Sequence, residues 1–411
     1  MFLSSVQDIL KRLALVFAVA FFSSISLAQE VEKPSEDIQR RVRELIGLLD
    51  AQQFSVREQA SLELLEIGGP ALELLKKPPS RASFELRQRA KVVHQQIESR
   101  IFDELSRSFL LDASGKDSYG LPGWETFSNM VGGSRSSKLL FLQIARDERR
   151  LLELVEAVSK LDRPGKERQA AVEALTAAAA KRADGIDQQL LRHYPTIGES
   201  MGLLFAAAAL DTNTPVEVSE VLTRMANSSF HGYMHKQGYQ DCLRKLLSCW
   251  IPKANVALAP ELMRIALNWD LSTVLPTARS HLSDNFDVYT RELAFQCVAQ
   301  FGTASDVEVL VPYLDEITIV EEFLDNDPPP GIPGETRMPD QQRSITRVND
   351  LAAASAMLLL GEDPRRIFPN YSSLLLRVTP RVLAVREQDS PKQIALIRAW
   401  ATALVPGRNE S

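Results

Sequence analysis

The residues best suited to bind a metal ion lie in one short stretch, SSFHGYMHKQGYQDC. His231 and His235 are four residues apart, so on a helix both imidazoles would face the same side and would be able to share one zinc ion. Asp241 or Cys242 would supply a further ligand. Two glycines in the stretch disfavour a continuous helix, and no glutamate follows the first histidine as in H-E-x-x-H. We expect histidines without a structural metal and no cofactor. A metal site at His231, His235 and Cys242 is the alternative.

A hydrolytic nucleophile is suggested by GESMG, residues 198–202, which fits the G-x-S-x-G pattern with Ser200 at its centre. That pattern marks a nucleophile only where a strand precedes the serine and a helix follows it. The following GLLFAAAAL is helical in character, whereas the preceding RHYPTI is short and follows a helical stretch. We expect Ser200 to cap the next helix, with a serine hydrolase as the alternative.

Aromatic residues that would anchor a partner occur in LLDASGKDSYGLPGWETFSNMVGGSRSS, residues 110–137. Its glycines, serines and proline predict a loop with one helical turn near residues 125–130. Tyr119, Trp124 and Phe127 are of the types enriched at binding hot spots. The same side chains also pin long loops to a helical core, so packing and partner binding are both possible roles.

The elements that position these residues begin after an export signal. Lys11 and Arg12 precede the apolar run LALVFAVAFF, and a small-x-small pattern ends at Ala28. This order predicts a cleaved signal peptide over residues 1–28 and a periplasmic or extracellular protein without stable membrane insertion. The apolar run is about half as long as a membrane span, so an uncleaved anchor is the weaker alternative.

Composition excludes some classes of function. The chain of 411 residues is 45% hydrophobic and 24% charged, as in soluble globular proteins. A formal net charge of −6 argues against nucleic-acid partners. Its three cysteines are too few for a disulfide framework, and Cys242 and Cys249 would lie about 10 Å apart on one helix. Buried thiols are expected, and a bridge from Cys297 is the alternative.

Two related segments, FSVREQA at 54–60 and FELRQRA at 84–90, share the pattern F-x-[VL]-R-x-x-A. Apolar residues continue at helical spacing after each, which predicts two amphipathic helices. The positions expected inside are Val56, Ala60, Leu64 and Ile67 in the first copy and Leu86, Ala90, Val93 and Ile97 in the second. The first helix is expected to end at Gly68 in a left-handed cap.

The spacing R-x-x-A-x7-G returns near the C-terminus, with aspartate replacing arginine in the last copy. The positions are Arg57, Ala60 and Gly68; Arg291, Ala294 and Gly302; and Asp350, Ala353 and Gly361. Units this short must stack to bury a common core. We therefore predict an all-α fold, a HEAT-like helical-repeat solenoid with irregular loop insertions. Arg57 and Arg87 are expected to hold the stack by bonding a carboxylate or carbonyl of a neighbouring unit.

The predicted organisation has three parts after the signal. Residues 29–107 form N-terminal HEAT-like helical pairs, and residues 108–250 form a middle helical region that contains the LPGW loop. Residues 251–411 form C-terminal HEAT-like repeats interrupted by a Pro-rich exposed loop at 324–344. Asp325 and Asp327 in that loop lack the spacing of an EF-hand calcium site.

The chain resembles exported HEAT-like repeat proteins of planctomycete-type bacteria over about residues 40–400. The resemblance is carried by FSVREQASLELLEIGGPALELLKK, FELRQRA, RELAFQCVAQFG and VNDLAAASAMLLLGEDP, and most specifically by LPGW-x-x-F-x-x-x-x-G at residues 121–132. It implies a stacked-helix fold and an exported compartment, and it implies no catalytic residue.

These observations favour an exported non-enzymatic scaffold that presents an extended curved surface to a protein or peptide. The alternatives are a metal-dependent enzyme through His231, His235 and Cys242, a hydrolase through Ser200, and a purely structural role at the cell envelope.

Overall fold

The computed structural model describes residues 35–77, 82–112, 118–161, 163–190, 192–228, 238–283, 285–324, 343–371 and 378–404. The described part is mostly helical, which confirms the predicted helical character, and it contains one small sheet. The predicted signal at 1–28 lies outside these ranges and stays a prediction. Among the described helices, none combines the length and the apolar character that a membrane span requires.

Two compact units divide between residues 162 and 163. The helices of the N-terminal unit are α1 Glu36–Leu48, α2 Phe54–Ile67, α3 Leu72–Lys76, α4 Phe84–Leu111, α5 Trp124–Val131, α6 Arg135–Asp147 and α7 Arg149–Ser159. Helix α4 has 28 residues, is therefore about 42 Å long, and runs without a break through the boundary predicted at 107/108.

Local sequence accounts for the ends of α2 and α4. Gly68, with φ of 68°, ends α2, and the Ser83 hydroxyl begins α4 by accepting a bond from the Leu86 amide. The predicted inner stripes contribute to one buried cluster, through Ala60 and Leu64 of α2 and through all four positions of α4.

Helices α2 and α4 run parallel as neighbours. Two contacts link the helices, Glu85 to Arg57 at 3.5 Å and Arg89 to Glu58 at 2.9 Å, and Ser83 just before α4 contacts Asp50 before α2 at 2.8 Å, so the contacts follow the same order along both segments. Equivalent helices of stacked repeats require this parallel arrangement.

The LPGW segment is more ordered than a loop with one turn. It forms the eight-residue helix α5, which follows two glycines with positive φ, Gly120 at 71° and Gly123 at 78°. At Gly123 a Cβ would also lie 3.3 Å from the Leu152 carbonyl oxygen, so this glycine lets the segment approach α7 closely.

The C-terminal unit contains eleven helices in its described residues. They are α8 Lys166–Leu190, α9 Ile197–Ala209, α10 Val216–Ser228, α11 Gln240–Trp250, α12 Ala259–Trp269, α13 Leu275–Ser280, α14 Val288–Phe301, α15 Val307–Leu310, α16 Val348–Leu359, α17 Pro380–Leu383 and α18 Ser390–Leu404.

A parallel relation also links α12, α14 and α16. The Cys297 thiol of α14 lies 3.8 Å from the Met263 carbonyl of α12, and the Gln300 amide lies 3.3 Å from Asp270 just beyond the end of α12. The Ser355 hydroxyl of α16 donates to the Phe295 carbonyl of α14 at 3.4 Å, and further along both helices a Cβ at Gly302 would lie 3.2 Å from the Leu359 side chain. The short helices α13 and α15 return the chain between them.

An antiparallel sheet in the order β1-β2-β3 consists of β1 Ile319–Leu324, β2 Arg343–Arg347 and β3 Val385–Arg386. The predicted loop at 324–344 is therefore wrong at both ends, where Leu324 pairs with Arg343. The β-branched residues of IVEEFL and RSITR favour strands, and pairing across the proline-rich segment secures them. Residues 325–342, with Asp325 and Asp327, lie outside the described ranges.

Candidate binding surface

Arg57 links three parts of the N-terminal unit. Its Nη1 donates to the Ala51 and Gln52 carbonyls at 2.8 and 3.0 Å, in the loop before α2. Its Nε lies 3.5 Å from a Glu85 carboxylate oxygen on α4, and its guanidinium lies 5.7 Å from the centre of the Phe54 ring. A planar guanidinium suits this combination of carbonyl, carboxylate and aromatic partners.

Arg291, at the same spacing in α14, has the same three kinds of partner. Its Nε donates to the Leu282 carbonyl at 2.9 Å, and its two terminal nitrogens donate to Glu316 at 2.8 and 2.6 Å. The guanidinium lies 5.6 Å from the centre of the Tyr313 ring, and the side chain is 4% exposed. Both arginines thus join the helix to the segments before and after it.

The expected equivalence of Arg87 with Arg57 is wrong. Arg87 is exposed, and Arg89 instead bonds Glu58 and Glu85 at 2.9 and 3.1 Å. The side chain of residue 89 leaves α4 on the flank that faces α2, whereas residue 87 points away from it.

Asp350 replaces the arginine in α16 and is buried. Its carboxylate accepts bonds from the Arg347 amide at 2.7 Å and from the Gln393 side chain at 3.0 Å. Burial raises the pKa of Asp350 to about 6 despite these bonds. It therefore joins β2, α16 and α18 by a different chemistry from that of Arg57 and Arg291.

Trp124 and Phe127 do not form a partner surface. They are 1% and 0% exposed and pack against Phe109 and Phe141. Half-buried Tyr119 lies edge-on to Phe109 with ring centres 6.3 Å apart. Large aromatic rings stabilise a fold when they are buried, so these residues fix the segment to the core.

Lys138 of α6 lies beside this aromatic cluster and is 3% exposed. Its Nζ donates to the Phe109 carbonyl at 2.7 Å and to the Asp112 carbonyl at 2.5 Å, and it lies 4.8 Å from the centre of the Phe109 ring. The ammonium thereby satisfies carbonyl groups that the end of α4 leaves without helical partners.

Ser200 is neither a helix cap nor a residue at a strand-to-helix turn. It lies inside α9 and is 6% exposed. Thr196 is the cap, because its hydroxyl accepts the Glu199 amide while the Glu199 carboxylate accepts the Thr196 amide. The strand-to-helix turn that a nucleophile in this pattern requires is therefore not formed at Ser200 in the described residues.

Of the predicted metal ligands His231, His235 and Cys242, only Cys242 lies in the described residues. His231 and His235 lie outside the described residues, and Cys242 is buried on α11. All three cysteines are free thiols, and burial raises the pKa of Cys249. Across the described ranges, no group of three or more His, Cys, Asp or Glu side chains is placed to hold a metal ion.

The most exposed apolar pair in the repeated motif consists of Phe54 and Phe84, which are 64% and 71% exposed. They are the first residues of α2 and α4, two parallel neighbours. Both are therefore exposed apolar side chains at the N-terminal ends of neighbouring helices. Sequence reasoning missed this role, although both phenylalanines fall outside the inner stripe.

Leu62 and Val92, eight residues after Phe54 and Phe84 respectively, are further exposed apolar residues. They are 55% and 49% exposed, on the same two helices. We call Phe54, Leu62, Phe84 and Val92 the phenylalanine ridge. Exposed Gln52, Gln53 and Ser55 give it a polar border, and such an apolar centre with a polar rim is typical of protein interfaces.

Comparison of the chain with protein-family models, with curated proteins and with solved structures finds no match. Its function is therefore inferred from the geometry of the described residues.

Proposed function

We propose that this chain is an exported, non-enzymatic HEAT-like repeat scaffold that binds a protein or peptide through the phenylalanine ridge. The observation that carries the proposal is the pair of exposed phenylalanines at equivalent positions of two parallel, adjacent helices. Repeat scaffolds characteristically contact a partner through equivalent side chains of successive units.

The ridge is not needed to hold the helices together. Ala60 and Leu64 of α2 pack with Ala90 and Val93 of α4 in the buried cluster below it. The ion pairs of Arg57 and Arg89 connect the same helices at their surface. Aromatic side chains are enriched among the residues that anchor protein interfaces.

Repeat architecture is supported by packing in both units. Parallel neighbours occur at α2 and α4 and again along α12, α14 and α16. Arg57 and Arg291 bond the same three kinds of group from the same helix position. Export is supported by the signal-like sequence of residues 1–28.

The test is affinity capture from the exported fraction with the tagged full chain, its Phe54→Ala/Phe84→Ala variant and a Leu111→Ala control. Leu111 is 84% exposed at the opposite end of α4, so its removal deletes a comparable apolar surface elsewhere. We expect saturable capture of one partner by the native chain and the control, and its loss in the double variant at an unchanged melting temperature.

Equal capture by the double variant would place the partner elsewhere and overturn the role of the ridge. Absence of any saturable partner at native concentration would overturn the scaffold function itself.

A further inference from the structure

Strand β1 is an edge strand of the small sheet. In the described part of the chain it pairs with β2 on one side, and the sheet order places no further described strand on the other. An edge strand offers a row of backbone donors and acceptors to any extended segment that reaches it.

Two exposed residues of β1 are acidic, Glu321 and Glu322. Glu322 forms an ion pair with Arg343 of β2, whereas Glu321 lies on the strand against which α14 packs and is close enough to Glu292 of that helix for their charges to interact. The Glu292 carboxylate accepts a bond from the Gln296 amide at 2.8 Å. Burial and the neighbouring Glu321 charge together raise the pKa of Glu292 to about 7.

The nearest cation in sequence does not neutralise this pair. The Arg291 guanidinium is bonded to both oxygens of Glu316 and to the Leu282 carbonyl. The charge of Glu321 therefore opposes ionisation of Glu292. An added positive charge would relieve this repulsion.

We propose that the outer edge of β1 takes an extended, basic segment of a partner protein as an additional strand, with a lysine or arginine of that segment between Glu292 and Glu321. Backbone bonds along the edge would hold the segment, and the two carboxylates would select its charge. Exposed Ile317 and Ile319 lie at the start of the strand and would receive an apolar side chain. This surface is separate in sequence and chemistry from the phenylalanine ridge.

The experiment uses three short probe peptides with the full chain. The first alternates lysine and valine, the second replaces each lysine by glutamate, and the third is the lysine peptide methylated on alternate backbone nitrogens. The methylated probe keeps its charge and cannot pair along one edge. Binding is measured by fluorescence anisotropy, and amide hydrogen exchange reports protection in Ile319–Leu324.

We expect only the unmethylated lysine probe to bind and to protect β1. Glu321→Gln should lower the affinity for the lysine probe about two- to fivefold, as expected for loss of a solvent-exposed ion pair. Glu217→Gln, an exposed site on α10, removes the same net charge and should have no effect. Affinity should rise with pH through about 7, where Glu292 ionises beside Glu321, and Glu292→Gln should abolish that rise.

Equal binding of the methylated probe would show attraction by charge without strand pairing and would overturn the proposal. Equal binding of the glutamate probe, or no protection of β1 amides, would overturn it as well. None of these results depends on the phenylalanine ridge.

Discussion

The Arg291 guanidinium and the Glu316 carboxylate form a bidentate ion pair with N–O distances of 2.8 and 2.6 Å. Arg291 is buried, and the pair joins α14 to the segment that leads into β1. Hydrogen bonding to Arg291 holds the pKa of the Glu316 carboxyl below its ordinary value. Removing Glu316 would leave the buried Arg291 charge unpaired, and removing Arg291 would take the partner from both the half-buried Glu316 carboxylate and the Leu282 carbonyl.

Replacing Arg291 should therefore destabilise the C-terminal unit strongly. We expect Arg291→Ala to lower the free energy of unfolding by about 3 kcal/mol or more. Arg57→Ala, at a less buried site with one long ion-pair contact, should lose about 1 kcal/mol. Exposed Arg87→Ala is the control and should change stability by less than about 0.5 kcal/mol. Urea unfolding followed by circular dichroism measures all three, and equal losses would contradict the assignment.

The stability of the C-terminal unit should depend on the charge of Asp350. Burial raises the pKa of Asp350 from 3.8 to about 6, so the folded state holds its proton more tightly than the unfolded state. This stabilisation is complete below pH 3.8 and is lost as the pH rises to about 6. The corresponding loss is about 3 kcal/mol.

Asp350→Asn isolates this effect. Urea unfolding of both proteins between pH 3.8 and about 6 should show that the free energy of unfolding declines in the native chain and does not decline in the variant. Other carboxyls, such as Glu316, have lowered pKa values and act in the opposite direction, but they contribute equally to both proteins. Parallel pH profiles for the two proteins would mean that Asp350 does not titrate as a buried acid.

Aromatic residues of the N-terminal unit should divide into two groups. Trp124→Ala removes a buried ring and should lower stability by about 3–5 kcal/mol. Phe84→Ala removes an exposed ring and should change it by less than about 0.5 kcal/mol. Thermal unfolding of both variants decides the matter, and a large loss in Phe84→Ala would show that the ridge is part of the core.

Gly302 and Gly361 share a motif position and should respond differently to substitution. At Gly302 a Cβ would lie 2.5 Å from the Val298 carbonyl oxygen, so Gly302→Ala should lose about 1–3 kcal/mol through crowding. Gly361 has φ of 72° and open space around it, so Gly361→Ala should lose about 1 kcal/mol through backbone strain.

Asparagine distinguishes the two causes, because it tolerates positive φ and is larger than alanine. Stability measurements should find Gly361→Asn milder than Gly361→Ala, and Gly302→Asn harsher than Gly302→Ala. If asparagine were milder than alanine at both sites, or harsher at both, then crowding and backbone strain would not be separate causes at the two glycines.

Much of the helical framework could be predicted from sequence, because it depends on local periodicity. The stripe through Ala60 and Leu64 required only residues within one helix, and so did the stop at Gly68. The strands were missed because β1 and β2 are short, and each depends on a partner on the far side of a proline-rich segment.

The candidate site was less predictable. From sequence, Trp124 and Phe127 were either packing residues or partner anchors, and the structure buries them while it exposes Phe54 and Phe84. Both pairs consist of the aromatic residue types that are enriched at binding hot spots. Which ring meets water is set by the packing of α5 against α4 and α6, to which distant residues such as Lys138 contribute.

The sequence alone determined that α2 ends at Gly68, which stripe of α2 and of α4 is apolar, and that arginine and alanine recur at fixed spacing. Only the tertiary structure decided what each arginine bonds, so that Arg57 and Arg291 hold neighbouring segments while Arg87 faces solvent. The physical reason is range. Helix formation depends on residues three or four apart, whereas the ion pairs of Arg57 with Glu85 and of Arg291 with Glu316 join residues that are 28 and 25 positions apart in the chain.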